Sequence, residues 1–246
     1  MSGVSRYSAL YGHWRFYYRQ PSYLIKSVRA NLKEFANWKP DGVICSAAQV
    51  ESLSELGVPM VSYHLGDYTG PIPCICSDDQ TVAERAGRHL IERGLRHFAF
   101  CGYVDLPWSE SRCATFRRCV ESAGFGVEVS KLDEGSRLWT KEEPALRQWI
   151  AQLPKPVGIF CANDDRAASI ADICSSMNLK IPGEVSIIGA DNDELLCTMA
   201  SPSLSSVQIQ SEQAGFEAAE LLAKMMDGAE PARGQRIVAE AGAVVV

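Results

Sequence analysis

The sequence predicts an α/β protein built as two doubly wound lobes, each a mostly parallel sheet covered by helices. Three observations predict it. Short apolar runs alternate along the chain with segments whose apolar residues recur at helical spacing. The runs, such as 157–161 (VGIFC), lack polar alternation, as parallel strands buried on both faces require. No Gly/Ser-rich or Pro-rich linker divides the chain. Two lobes joined by several short crossovers fit this pattern. One open sheet of about ten strands is the alternative, near the practical limit for such sheets.

Taken in order, residues 3–11 predict a helix with Val4, Tyr7 and Tyr11 on one side. Residues 15–19 predict a short aromatic strand, and Leu24, Val28, Leu32 and Phe35 a helix. Strands follow over 42–45 and 60–63, the second entered through Gly57-Val58-Pro59, with a short helix over 49–56 between them. A strand over 73–76 leads to a helix marked by Val82, Ala86 and Leu90 and stopped by Gly94, a residue suited to a left-handed helix end. A strand over 97–101, a helix on Cys113, Phe116 and Val120 stopped by Gly124, and a strand over 127–129 come next. Then come a helix over 142–152, a strand over 157–161, a helix on Ala167, Ile170, Ile173, Cys174 and Met177, and strands over 185–189 and 204–209. A long helix on Ala214, Ala218, Leu221, Leu222 and Met225, closed by Gly228, precedes a last strand over 236–240.

Composition narrows the function. Net charge is −6, whereas a free-standing nucleic-acid binder usually carries a basic surplus. The densest basic stretch, Arg85, Arg88, Arg93 and Arg96, follows one amphipathic helix and is diluted by Glu84 and Glu92, which fits a solvated face. The nine cysteines are odd in number and none pairs at CxxC spacing, so they read as small buried hydrophobes in a reducing compartment. The four histidines are scattered, and no metal site is expected. The first ten residues do not read as a secretion signal, and no apolar run approaches the roughly 18–20 residues that span a bilayer. A cytoplasmic protein without membrane association is therefore expected.

In open α/β sheets ligands bind beyond the carboxyl ends of the strands. Here those loops are polar: Ser77-Asp78-Asp79; Gly102-Tyr103 with 108–112 (WSESR); Asn163-Asp164-Asp165; and Asp191-Asn192-Asp193. Carboxylates, an amide, an arginine and aromatic rings are what a sugar pocket uses. Each also has a plainer role. Asp78 or Asp79 could cap the helix over 81–93, and Asn163 or Asp164 the helix over 166–177. Trp108 could be core or lid packing as readily as a surface for a sugar ring. Asp191 precedes no strong helix, so capping explains it less well. Arg112 lies toward a helix N-terminus, where a cation is disfavoured unless function or an ion pair with Glu110 or Asp105 explains it. Facing a wet cleft, Arg112, Asp164 and Asp191 should matter more to affinity than to stability. No phosphate-binding loop, dinucleotide fingerprint or nucleophile elbow is present, and no cofactor is expected. Asp164 and Asp191 could do acid–base work, but no histidine or lysine accompanies them in these loops.

The stretches 160–164 (FCAND), 181–192 (IPGEVSIIGADN) and 201–207 (SPSLSSV) together resemble the LacI/GalR-type regulators, as do 89–94 (HLIERG) and Ser111-Arg112 upstream. The resemblance runs over nearly the whole chain. Within that group, 98–102 (FAFCG), 108–112 with Phe116-Arg117, 188–195 (IGADNDEL) and 204–207 (LSSV) are most similar to the xylose operon activator family. It implies a type I periplasmic-binding-protein-like fold with an interlobe cleft, and a sugar effector, a pentose such as D-xylose. Arg112, Asp164 and Asp191 would hydrogen-bond it, with Trp108 as a ring surface, Asn163 beside them and Asp78 near the hinge. It places residues 1–95 with 208–228 in the first lobe and 96–207 with 229–246 in the second. The family's opening strand is expected to be missing before Met1, and its AraC-type DNA-binding module to lie beyond Val246. DNA would then be contacted only through that module, and the resemblance leaves room for a homodimer. A transport-associated binding protein and a small α/β enzyme are the rival functions.

Overall fold

The computed structural model describes residues 1–18, 35, 37–64, 70–130 and 139–246. The expected helix on Leu24, Val28 and Leu32 lies outside these residues. The described chain forms two compact units, each with its own sheet, rather than one large sheet. The first comprises Met1–Ser77 and Gln210–Ala239, the second Asp78–Ile209 and Glu240–Val246.

In the first unit, β1 (Val43–Ser46), β2 (Met60–His64), β3 (Cys74–Ser77) and β9 (Arg236–Ala239) lie side by side in that order, all parallel. Helix α1 (Ser2–Tyr7) continues as a π turn over Ser8–Gly12 and packs on α8 (Ser211–Met226). A side chain at Gly3 would strike the Glu212 carbonyl, so glycine is what lets the two helices approach. Helix α8 buries Ala214, Ala218 and Leu222 of the expected stripe, together with Ala219, while Leu221 and Met225 are half-buried. The short α2 (Val50–Leu53), flanked by 3-10 turns, seats Leu53 against Cys45 and Met60.

The expected strand over 15–19 is not formed in the part described. Residues 13–18 have no regular secondary structure. A strand needs a neighbour for its backbone N–H and C=O groups. Here the aromatic rings pack on one another instead, Trp14 against Tyr7 and Phe16, and Tyr7 against Phe216 of α8.

The second unit holds six strands in the order β10 (Ala241–Val245), β8 (Ser205–Ile209), β7 (Val185–Asp191), β6 (Val157–Cys161), β4 (His97–Cys101), β5 (Val127–Val129). All pairs are parallel except β10 with β8. Helices α3 (Asp79–Glu92), α4 (Pro107–Ser122), α5 (Trp139–Gln152), α6 (Asp164–Ser176) and the short α7 (Glu194–Met199) complete it. Central strand β6 is wholly buried. Val157, Ile159 and Cys161 join Leu146, Ile150, Ile170 and Ile173 on one face. Phe160 meets Phe100 and Phe116 on the other, and Gly158 leaves space for Leu90 and Leu95. Such two-sided burial is why the strand reads as a continuous apolar run.

Two lobe assignments need correction. Helix α3 belongs to the second unit, so the first crossing lies at Ser77/Asp78 and not near residue 95. The reason is packing, since α3 lies against α4, with Gly87 beside Cys119 and Phe116. The tail does not run wholly with the second unit either. Strand β9 pairs with β3 of the first unit, and only β10, after Glu240, joins the second.

Candidate ligand-binding site

Trp108, Arg112, Asn163, Asp164 and Asp191 are in the second unit, at the carboxyl ends of β4, β6 and β7 or on the helices that follow, whereas Asp78 follows β3 at the start of α3. Helix α4 opens with Pro107, whose missing N–H costs nothing in a first turn. Its buried face carries Trp108, Ser109, Arg112, Thr115, Phe116 and Val120, so helical spacing puts Arg112 inside the apolar stripe. Arg112 is 2% exposed. Its Nε donates to Asp79 Oδ1 at 2.8 Å and its Nη1 to the Ala162 carbonyl at 2.6 Å. Nη1 also lies 3.6 Å from Asp191 Oδ1. The guanidinium covers the Trp108 ring, 5.0 Å from its centroid. The ion pair that the helix position called for therefore exists, with Asp79 rather than Glu110 or Asp105.

Asp164 is buried and opens α6. Its Oδ1 accepts from the Ser206 hydroxyl at 2.7 Å and its Oδ2 from the Asp193 N–H at 2.8 Å. Burial raises its pKa, against the Ser206 and Asp193 hydrogen bonds that lower it. Asp191 ends β7 with φ 105°. Its carboxyl is pushed up to about 7 by the surrounding protein, against the attraction of Arg112 and with the repulsion of Asp164 and Asp165. Its side chain keeps 48% of its surface open. Arg112 and Asp164 thus depart from the expected wet groups, while Asp191 matches one.

Asp78 and Asn163 are helix caps. Asp78 accepts from the Thr81 N–H at 3.0 Å and Asn163 from the Arg166 N–H at 3.1 Å. Asp193 caps α7, a short helix the sequence did not announce. Trp108 is buried, with one face taken by Arg112.

The sequence pointed to Asp79 only as a loop acid or helix cap and not as the partner of Arg112, and it singled out neither Ser206 nor Arg166. Arg166 follows Asp165 directly and is a second cation of these loops. It is buried, bonds Glu142 at 2.9 Å and lies over Tyr103, 4.3 Å from the ring centroid. Tyr103 in turn packs on Trp108, so the two arginines flank a pair of rings. Among the described residues, no group of three His, Cys, Asp or Glu is placed to hold a metal, and no helix is long and apolar enough to cross a membrane.

Comparison with known proteins follows the same lines. A family model described as a periplasmic binding protein-like domain matches residues 88–245. The chain belongs to that family. It is 32% identical over 219 residues to the xylose operon regulatory protein of Escherichia coli K12, covering 85% of this chain and 56% of that protein. The chain thus spans about half the length of that curated relative. A solved structure of a xylose-binding transcription activator superposes with a TM-score of 0.81 at 28% identity, over 99% of this chain and 63% of that one. A periplasmic binding protein/LacI transcriptional regulator from Alkaliphilus metalliredigens gives 0.80 at 21% identity, over 100% and 90%, and speaks for the fold alone. The fold is the periplasmic-binding-protein-like α/β fold that the LacI/GalR resemblance implied.

Proposed function

We propose that this periplasmic binding protein-like domain senses a small free sugar, a pentose such as D-xylose, for a bacterial transcription regulator. The observation that carries the reading is the convergence of the Arg112 guanidinium with the Asp191 carboxylate at the strand ends of one sheet, 3.6 Å apart and backed by Asp164. A donor beside an acceptor matches adjacent ring hydroxyls, each of which both donates and accepts. The two buried cations already have carboxylate partners, Asp79 for Arg112 and Glu142 for Arg166, so the loops carry no surplus positive charge for a phosphate. The relatives reported above are regulators by name, which favours sensing over turnover. DNA recognition is assigned to a module outside these 246 residues, and the site of action to the cytoplasm.

Calorimetric titration with D-xylose, other free aldoses and D-xylose 5-phosphate tests this. Saturable binding of a free pentose, weaker binding of the phosphate and no turnover of either are expected. A sugar phosphate that binds more tightly than every free sugar sinks the reading.

A further inference from the structure

We infer that Ser206 is a positioning residue of this site: with Asp164 it holds the 191–193 turn in the backbone conformation that presents the Asp191 carboxylate. The inference rests on the reading above for the role of Asp191.

At the end of β7 the chain turns through positive φ at two successive non-glycine residues, Asp191 at 105° and Asn192 at 54°. An asparagine tolerates the left-handed region, but φ near 105° is sparsely populated for any residue with a side chain. Such a backbone persists only where its surroundings over-determine it. Two hydrogen bonds do that here. The Asn192 N–H donates to Ser206 Oγ at 3.0 Å, and the Asp193 N–H donates to Asp164 Oδ2 at 2.8 Å. The Ser206 hydroxyl hydrogen goes to Asp164 Oδ1 at 2.7 Å. One hydroxyl therefore accepts from the turn and donates to the carboxylate that takes the next amide.

The sheet is shaped for this. Ser206 on β8 stands opposite Gly189 on β7 in the strand register. A Cβ at Gly189 would collide with Asp164 Oδ1. The two neighbouring positions thus supply an opening and a hydroxyl to the same carboxylate. Ser206 is fully buried, where an unpaired hydroxyl is disfavoured. It accepts from the turn at Asn192 and donates to the Asp164 carboxylate, and so links the two. Asp164 also has a side-chain hydrogen bond with Cys197 and is almost wholly buried, so its role in this geometry is to hold the turn.

The test compares the full chain with Ser206→Ala, Asp191→Asn, the double variant and Ser206→Thr, which keeps the hydroxyl. Amide hydrogen exchange of the empty protein is read first. Ser206→Ala should lose protection at Asn192 and Asp193 and keep it at Ile188 and Val207, and Ser206→Thr should restore it. Unchanged exchange at the turn, or loss spread across the whole sheet, overturns the inference. D-xylose titration is read second. Ser206→Ala should weaken binding about tenfold in the native background and scarcely at all beside Asp191→Asn, the non-additivity expected of groups acting as one. Additive losses also overturn it. A native chain that binds no free sugar removes the sugar reading, while the exchange result still decides whether Ser206 positions the turn.

Discussion

Arg112 and Asp79 form a buried ion pair at 2.8 Å that joins the second turn of α4 to the first turn of α3. The pair ties the guanidinium that faces Asp191 to a helix beginning one residue after the chain enters its second unit. Removing one member of a buried pair leaves an uncompensated charge and costs about 3–5 kcal/mol. Arg112→Ala and Asp79→Ala should each lower unfolding stability by about that amount, measured by urea denaturation. A loss below about 1 kcal/mol for both would show that the pair is not buried in solution.

Asp191→Asn should behave differently. Its half-open side chain carries little packing, so below about pH 4, where the carboxyl is protonated, stability should change by no more than about 1 kcal/mol. Binding of D-xylose should fall by about ten- to a hundredfold, as the loss of a charged hydrogen-bond partner predicts. Titration and denaturation on this one variant separate a binding role from a structural one.

The pH dependence follows from the raised carboxyl of Asp191, up to about 7 against an ordinary 3.8. A carboxyl whose folded pKa exceeds its unfolded value favours folding while protonated. That contribution is complete below the unfolded value and fades as pH rises from about 4 through 7. Asp164, raised in the same direction, adds to the slope. The empty protein should therefore become less stable over this window from these groups, and Asp191→Asn should flatten the curve. Affinity should move oppositely, rising from pH 6 to 8, because a sugar hydroxyl donates to the carboxylate form. NMR titration of the Asp191 carboxyl alongside binding at each pH checks both signs.

Gly189→Ala tests the fit of Asp164 from the other side. The added methyl would collide with Asp164 Oδ1 and meet Ala167 Cβ at 3.2 Å. Overpacking of this kind costs about 1–3 kcal/mol. Lower melting temperature and weaker sugar binding should appear together, and an unperturbed variant would mean that the strand shifts to make room.

Asp78→Ala and Asn163→Ala should each cost about 0.5–2 kcal/mol as lost helix caps. Asp78→Ala should leave D-xylose affinity nearly unchanged, in contrast with Asp191→Asn. A large affinity loss at Asp78 would show that it contacts the ligand as well as capping α3.

Much of this was legible in the residues. The burial of Arg112 could have been read from its place between Trp108 and Phe116 at four-residue steps, yet a wet cleft was expected of it. Arg166, one residue past the polar loop 163–165, shows the same limit. Its cation was visible, but its stacking on Tyr103 and pairing with Glu142 were not. The short α7 carries two exposed apolar residues, Leu195 and Met199, and no long periodic stripe, so only its cap Asp193 could have signalled it.

What the sequence determined by itself is the order of the strands and helices from 42 to 239 apart from α7, the burial of β6 on both faces, and the polar loops at the strand ends, while the strand over 15–19 and the separate β10 fell outside it. Those features come from periodicity and turn chemistry within a few residues of chain. The tertiary structure alone decided which carboxylate neutralises Arg112, which hydroxyl takes Asp164, and how β9 and β10 divide between two sheets. Asp79 lies 33 residues from Arg112, and Ser206 lies 42 from Asp164. Which of several acidic or hydroxyl side chains meets a buried partner over such separations depends on how α3 packs on α4 and how β7 registers with β8, and no local pattern carries that information.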